Sequence, residues 1–249
     1  MKHGRIIVEG LTDCYFIHQV VLRRFADLFV PVYDAGEGKD FRYPVGKDDP
    51  DEVFSFVAKS DPTVTLEIRD NGGSSKMDVL KGLLRDETGE SREFHTCVIF
   101  DADFAEDQLN HRPARGNGGF AKARETFLEV VPENDLYLFP NNRGEGMLET
   151  LLADIANRTK SDYFDTCWPA FTTSLAQATP SPSRTLSSKT ELADYVEAYG
   201  RKISERKSYL QNLRNDALWD YSAPALDPLV KFLATFFARL AGGTSKCRD

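Results

Sequence analysis

The stretch RIIVEGLTDCYFI, residues 5–17, decides how the chain begins to fold. Its first part, Arg5–Val8, has the apolar character of a short buried strand, and it runs directly into the carboxylate of Glu9. Thr12 suits the N-cap position of a helix over residues 13 to about 28, whose apolar side chains recur on one face. A strand, a tight turn and an amphipathic helix are typical of an α/β fold. An acid at the end of a buried strand requires an explanation, because burying a charged side chain costs free energy.

Strands and helices continue to alternate over residues 1–158, and this alternation predicts a parallel sheet with helices on its faces. A segment at about 35–60 is rich in Gly, Lys, Asp and Pro, and we interpret it as a polar insertion. The further strand signals are TVTLEI (63–68), HTCVIFDADF (95–104) and DLYLF (135–139), and helices are expected at 77–85, at 120–131 and after PNNRGEGMLETLL (140–152).

Residues 159–249 are predicted to form a helical C-terminal extension that packs on the core. A Ser-, Thr- and Pro-rich stretch at 161–188 has the composition of a loop or linker. Two helices are expected after it, at 189–213 and 227–240. The sequence therefore predicts an α/β domain at residues 1–158 and a helical extension behind it.

Acidic side chains stand where two of the predicted strands end. Glu9 follows the first strand, and Asp101 and Asp103 end the strand VIFDAD. Ligands of parallel α/β sheets bind beyond the carboxyl ends of the strands, so these acids should meet at one edge. Like charges gathered there cost stability unless a cation offsets them. Carboxylate oxygens suit Mg²⁺ or Mn²⁺, so one or two such ions are the expected cofactor.

Composition and charge narrow the class of protein. The net charge is −8, which disfavours a protein that simply coats DNA but not an enzyme whose cations screen phosphate. Four scattered cysteines without a C-x-x-C pair disfavour a zinc site or a disulfide framework and suit a reducing compartment. No apolar run approaches the roughly 18 residues of a membrane helix, and the N-terminus has no signal-peptide pattern. We therefore expect a cytoplasmic protein that does not act at a membrane.

The pairing of E-G-x-x-D (Glu9 to Asp13) with D-x-D (Asp101 to Asp103) about 90 residues later resembles the Toprim domain of topoisomerases, primases and OLD-family nucleases. The segments LFPNNRGEGMLETLL and LWDYSAPALDPLVKFL are similar to stand-alone Toprim-like bacterial proteins. The resemblance implies a Rossmannoid parallel sheet. It also implies that Glu9 is a general acid/base or metal ligand, that Asp101 and Asp103 bind metal, and that Asp13 joins Glu9 at a second metal.

Other residues are weaker candidates, each with an ordinary structural alternative. Glu149 is a further metal or substrate contact, or a glutamate on a helix surface. Lys122 could stabilise transition-state charge, and the loop around it could hold a polyanion or be merely solvated. The motif NGGSSK could hold phosphate at a helix start or be a plain turn. The phosphate or nucleic-acid contacts predicted from these two segments are Ser74, Lys76, Arg112 and Arg115.

Two functions from different classes remain open. The first is a metal-dependent nuclease cleaving DNA or RNA, as the Toprim resemblance implies, with a role as an effector in phage defence. The second is a non-cleaving Toprim-like module that binds a metal or nucleotide and regulates a partner. A phosphatase or glycosyltransferase using D-x-D alone leaves E-G-x-x-D unexplained. Full OLD-family proteins carry an ATPase module, whereas this chain shows no P-loop motif, so the resemblance implies an ATPase or sensor protein as a partner. Self-association is compatible with either function.

Overall fold

The computed structural model describes residues 2–32, 53–73, 77–85, 93–107, 112–113, 116–157, 162–178, 188–200 and 212–242. Their contacts form two compact units that are interleaved along the chain. The first unit comprises Met1–Phe100, Arg124–Leu138 and Pro228–Asp249, and the second comprises Asp101–Ala123 and Phe139–Asp227. The sequence instead predicts a single boundary between residues 158 and 159, and that boundary stays a prediction.

A six-stranded mixed sheet organises the fold. Its strands are β1 (Lys2–Val8), β2 (Phe29–Pro31), β3 (Val53–Ala58), β4 (Val64–Asp70), β5 (Glu93–Asp101) and β8 (Leu136–Phe139), and a separate two-stranded sheet joins β6 (Glu106–Asp107) to β7 (Arg112–Pro113). The order in the large sheet is β2-β3-β4-β1-β5-β8. Strand β1 pairs in parallel with both β4 and β5, whereas β3 is antiparallel to β2 and β4. The α/β class predicted from the sequence is confirmed.

The interior position of β1 explains its sequence. Ile6, Ile7 and Val8 have no exposed surface, because β1 lies between two parallel neighbours and is covered on both faces. Gly4 allows a close approach on this strand. A β-carbon at Gly4 would lie 2.6 Å from Cδ2 of Leu240, which belongs to the same unit. The continuous apolar run is therefore what a central parallel strand requires.

The α-helices between and after the strands are α1 (Leu11–Arg24), α2 (Met77–Arg85), α3 (Phe120–Leu128), α4 (Leu148–Asp154), α5 (Trp168–Ala178), α6 (Ser188–Tyr199) and α7 (Asp227–Leu240). Within the first unit, α7 buries an apolar stripe that includes Leu233 and Phe237. Phe237 packs edge-on against Phe29, with ring centroids 4.8 Å apart, and Arg239 pairs with Asp135 at 2.5 Å. These contacts bind α7 to the sheet.

The second unit holds helices α4, α5 and α6. Helix α4 packs against α6. The ring of Tyr195 on α6 lies 4.7 Å from that of Phe164 and 5.4 Å from that of Trp219, centroid to centroid. The indole of Trp219 donates to the carbonyl of Asn212 at 2.8 Å. Aromatic packing therefore supplies the core of this region.

Three local predictions about the first unit were wrong. The sheet is mixed rather than parallel, because β3 reverses direction. The proposed polar insertion at 35–60 contains β3 itself, in which Phe54 and Phe56 are buried and Ser55 is exposed; residues 35–52 lie outside the described part. Helix α1 ends at Arg24 rather than near residue 28. Phe25 leaves the helix and packs against Phe237, with ring centroids 4.9 Å apart.

The C-terminal prediction needs a similar correction. Residues 162–178, assigned to a loop or linker, are helical, with a π-helical turn at Tyr163–Cys167 leading into α5. Tyr163 and Phe164 pack on Tyr195, and this tertiary contact outweighs the local Ser and Thr content. The helix expected over 189–213 ends at Tyr199, and residues 201–211 lie outside the described part.

Among the described residues, no helix combines the length and the apolar character needed to cross a membrane.

Candidate functional site

The acids that follow β1 lie in the first unit and are positioned by near neighbours. The Gly10 N–H donates to Oδ2 of Asp13 at 3.1 Å, which fixes the first turn of α1. The backbone of Glu9 is held from the loop after β4, because the Gly73 N–H donates to the Glu9 carbonyl at 2.8 Å. Asp13 is 8% exposed. Its cap bond is the structural role expected of an acid in a first helical turn.

Asp101 ends β5 and is held by a contact across a long stretch of chain. Asp101 is 7% exposed, and its Oδ1 accepts a hydrogen bond of 2.8 Å from the Leu148 N–H at the start of α4. The side-chain amide of Asn117 donates to the Asp101 carbonyl at 2.7 Å. The end of β5 is therefore tied both to α4 and to the loop before α3.

Asp103 belongs to the same hydrogen-bond network, and its backbone has an unusual conformation. Its φ is +57°, in the left-handed region that few side chains other than Asn and Asp adopt. Its Oδ2 accepts from the Asn117 N–H at 2.6 Å, and its carbonyl accepts from the Gly146 N–H at 2.8 Å. A β-carbon at Gly116 would clash with Oδ2 of Asp103. Burial raises the pKa of Asp103, and the Asn117 hydrogen bond opposes that rise.

Glu149 is a buried acid in the second unit, one residue into α4. It is 7% exposed, and burial raises the pKa of its carboxyl group, with a smaller contribution in the same direction from the charge of Asp103. The Lys189 ammonium lowers that pKa, and its Nζ lies 3.9 Å from Oε1 of Glu149. Of the two alternatives given for this residue, a solvated helix-surface glutamate is inconsistent with such burial.

The remaining candidates are less fully described. Lys122 is exposed on α3. Arg112 belongs to β7, and its side chain is outside the described part. The other three predicted phosphate contacts, Ser74, Lys76 and Arg115, lie outside the described residues. Whether any of them meets phosphate stays a prediction.

The donor chemistry of these acids fits a hard divalent ion. Asp101 and Asp103 each have one carboxylate oxygen fixed by a backbone N–H, which is how ligating carboxylates are commonly oriented. Across the described ranges, however, no three His, Cys, Asp or Glu side chains are grouped closely enough to hold a metal ion. The structure describes Glu9 with Asp13 in one unit, and Asp101, Asp103 and Glu149 in the other. These acids therefore match a divalent ion in the type of donor atom, whereas the described residues do not form a complete set of ligands.

Three residues of the second unit were missed by reasoning from sequence. Asn117 holds both ends of Asp101–Asp103, Gly146 meets Asp103 in an isolated β-bridge, and Lys189 accompanies Glu149. A signal for the first was available in GNGG, where Gly116, Gly118 and Gly119 all take positive φ. The sequence alone indicates only that this segment belongs to the loop near Lys122, which could hold a polyanion or be merely solvated. Nothing local connects Lys189 with Glu149, which lies forty residues earlier in the numbering.

Comparisons with known proteins identify the family. A family model described as "Protein of unknown function (DUF3226)" matches residues 3–238, so the chain belongs to this family. No curated protein matches it. Among solved structures, it is similar to hypothetical protein PH0156 from Pyrococcus horikoshii OT3, with 13% identity, 97% of this chain and 96% of that chain covered, and a TM-score of 0.43.

Proposed function

We propose that this member of the DUF3226 family is a metal-dependent nuclease, with Glu9, Asp101 and Asp103 as its central acids. One observation carries the proposal. Strands β1 and β5 are adjacent and parallel, with Val8 opposite Ile99, so both strands end at the same edge of the sheet. Glu9 follows the first strand and Asp101 ends the second. Strand ends of this kind are where α/β sheets bind ligands.

The proposed roles follow from the position of each acid. Asp101 and Asp103 would hold Mg²⁺ or Mn²⁺, with their orientation set by Leu148 and Asn117. Glu9 would act as a ligand or move the proton of the attacking water, and Asp13 and Glu149 would be further ligands. A bound divalent ion stabilises the charge that develops on phosphate during in-line displacement.

The substrate of this proposal is DNA or RNA. Lys122, exposed at the first turn of α3, would stabilise charge in the transition state. The contacts to phosphate would come from Ser74, Lys76, Arg112 and Arg115. Because the chain carries a net charge of −8, cations at the site would have to offset repulsion of a polyanion. The proposal also includes a cytoplasmic location, an ATPase or sensor partner and a role in phage defence.

A second candidate is a non-cleaving module that binds a metal or nucleotide and regulates a partner. The observation that favours it is the hydrogen bonding of the D-x-D pair: Asp101 caps the start of α4, and Asp103 caps the glycine-rich turn at Asn117. Both carboxylates therefore have structural roles that need no metal.

Cleavage assays with matched variants distinguish the two candidates. Purified protein is incubated with supercoiled plasmid DNA or single-stranded RNA in Mg²⁺, Mn²⁺ or EDTA. Glu9→Gln and Asp101→Asn should each lose cleavage by on the order of 100-fold or more. Asp154→Asn, which changes another acid on α4, should cleave like wild type. Circular dichroism of each variant establishes that it is folded.

Metal-dependent cleavage that survives in both Glu9→Gln and Asp101→Asn would refute the assigned site. No cleavage of either nucleic acid, by protein that binds Mn²⁺ in a calorimeter, would favour the regulatory module.

A further inference from the structure

We propose that Asn71 is a positioning residue for Glu9. Its side-chain amide stabilises the turn at residues 71–73, and this turn fixes the backbone of Glu9 at the end of β1. The inference rests on the proposed function, since Glu9 is one of its central acids. It gives a role to a residue that has none in the nuclease proposal, and it does not depend on where a cation would bind.

The ends of β1 and β4 lie side by side in the first unit. The two strands pair in parallel, and Val8 at the end of β1 lies opposite Asp70 at the end of β4. Asn71, the residue after β4, donates its backbone N–H to the Val8 carbonyl at 2.9 Å. The chain that leaves β4 therefore turns directly beside Glu9.

The turn holds Glu9 through its main chain. The Gly73 N–H donates to the Glu9 carbonyl at 2.8 Å, and Nδ2 of Asn71 donates to the Gly73 carbonyl at 3.1 Å. Gly72 and Gly73 both have positive φ, of 75° and 112°. Because glycine backbone is easily deformed, the bond from the Asn71 side chain restrains the position of the N–H that reaches Glu9.

The chain after Glu9 is held as well. The Gly10 N–H donates to Oδ2 of Asp13, and the Gly10 carbonyl accepts from the Cys14 N–H at 3.1 Å. Both polar groups of the peptide that joins Glu9 to Gly10 are therefore hydrogen-bonded, while the Glu9 residue itself is half-exposed. A fixed backbone beneath an accessible carboxylate is the arrangement expected of an acid that must meet a substrate in one geometry.

The ordinary alternative is that Asn71 only stabilises a turn. Asn71 is 2% exposed, and a buried amide needs hydrogen bonds to offset the cost of its burial. The two roles differ in what they change. A residue that stabilises the turn alone affects the free energy of unfolding, whereas a positioning residue also affects the rate of the chemical step in protein that is fully folded.

Asn71→Ala and Asn71→Asp both remove the donor to the Gly73 carbonyl, and the second keeps the size of the side chain. We expect each to lower kcat by about 10- to 100-fold, because a small displacement of a reacting group has an effect of this order. KM should stay within about twofold of wild type, since binding of the substrate is not altered.

Gln19→Ala is the matched control. Like Asn71, Gln19 carries an amide, is 2% exposed and belongs to the first unit. Its Nε2 lies 3.1 Å from Nδ1 of His18, more than two turns along α1 from the helix start. The variant therefore loses a buried amide without touching the turn beside Glu9, and its kcat should equal that of wild type.

Steady-state cleavage of fluorescently labelled DNA and RNA oligonucleotides with Mn²⁺ measures kcat and KM, and circular dichroism establishes that each variant is folded. A lower kcat in every folded Asn71 variant, but not in Gln19→Ala, supports the inference. A kcat within about twofold of wild type in either folded Asn71 variant, or an equal loss in Gln19→Ala, overturns it and leaves the nuclease proposal standing.

Failure of both Asn71 variants to fold also overturns the inference, because Asn71 would then be required for the fold as a whole. No cleavage by the wild type overturns the proposed function and the inference together, and the inactive wild type distinguishes this result from the others.

Discussion

Asp13 in the first unit and Asp101 in the second both give a carboxylate oxygen to a backbone N–H, but their partners differ in origin. Asp13 is bonded by Gly10, three residues away, and Asp101 by Leu148, 47 residues away. The first bond is part of forming a helix. The second exists only once α4 has been placed beside the end of β5.

This difference separates acids whose geometry is local from acids whose geometry is a product of tertiary structure. A substitution near Asp13 should disturb one helix end, whereas a substitution in the network around Asp103 should disturb several connected segments. Tryptophan fluorescence can follow the second unit by itself. Both tryptophans, Trp168 and Trp219, are buried in the second unit, so their fluorescence reports on that unit.

The largest effect is expected from Gly146→Ala. Gly146 has φ of +139°, and a β-carbon there would lie 2.9 Å from both Pro140 Cδ and Thr150 Oγ1. We expect the free energy of unfolding to fall by about 2–4 kcal/mol, as measured by urea titration of tryptophan fluorescence. Gly82→Ala on α2 is the control, since a β-carbon at Gly82 would have no other atom within 4 Å, and this variant should be more stable than wild type by up to about 1 kcal/mol.

Asn117→Ala should have the next largest effect. The variant loses the 2.7 Å hydrogen bond to the Asp101 carbonyl and keeps the backbone bond to Asp103. A decrease of about 1–2 kcal/mol in the free energy of unfolding is expected. Under the nuclease proposal, Mn²⁺ affinity should fall too, by about 10-fold. Unchanged stability and affinity would mean that Asn117 does not organise the D-x-D segment.

Asp13→Ala tests the local side of the comparison. Loss of the bond from the Gly10 N–H should lower the free energy of unfolding by about 1 kcal/mol, which is typical of a lost helix cap. Asp13→Asn keeps an acceptor oxygen, so its free energy of unfolding should be close to that of wild type. Urea titration by far-ultraviolet circular dichroism measures both. A loss greater than that of Gly146→Ala would contradict the distinction between local and tertiary acids.

Glu191 on α6 gives the smallest effect and extends the comparison to an acid outside the proposed site. Burial raises its pKa to about 7 from an ordinary 4.5. The folded state therefore holds this proton more tightly than the unfolded state does, and the group's contribution to stability is lost as pH rises from 4.5 through 7. In Glu191→Gln, the decrease in stability with rising pH that Glu191 causes should be absent. Because Glu191 is only half-buried, we expect a gain of several tenths of a kcal/mol over wild type at pH 8 and none at pH 4.

Thermal unfolding of wild type and Glu191→Gln across that pH range provides the measurement. An advantage of the variant that is the same at pH 4 and pH 8 would exclude titration of Glu191 as its cause.

The same distinction between local and tertiary contacts explains what the sequence could predict. The apolar run of β1, the helix at Met77–Arg85 and α7 at Asp227–Leu240 were predicted because their patterns lie within a few turns of chain. Strand β3 was missed although apolar and other residues alternate in VFSFVA. The Gly- and Asp-rich sequence before it indicates a loop more strongly than these six residues indicate a strand. Residues 162–178 were missed because aromatic contacts with α6, not local composition, make them helical.

The candidate site follows the same rule. The type and the strand-end position of Glu9, Asp101 and Asp103 could be read from apolar runs that end in acids. The left-handed conformation of Asp103 and the burial of Glu149 could not, since they arise from Gly146, Asn117 and α6. Sequence thus identified the acids but not the backbone and the lysine that hold them.

The interleaving of the two units has a consequence for synthesis on the ribosome. Strand β1 emerges early, yet Gly4 has Leu240 of α7 as its packing neighbour, and both belong to the first unit. Until α7 has been translated, the apolar surface that it covers has no partner from this chain. Contacts so distant in sequence slow folding and prolong the exposure of such surfaces. A nascent chain stalled before residue 227 should therefore depend on chaperones far more than the released protein does.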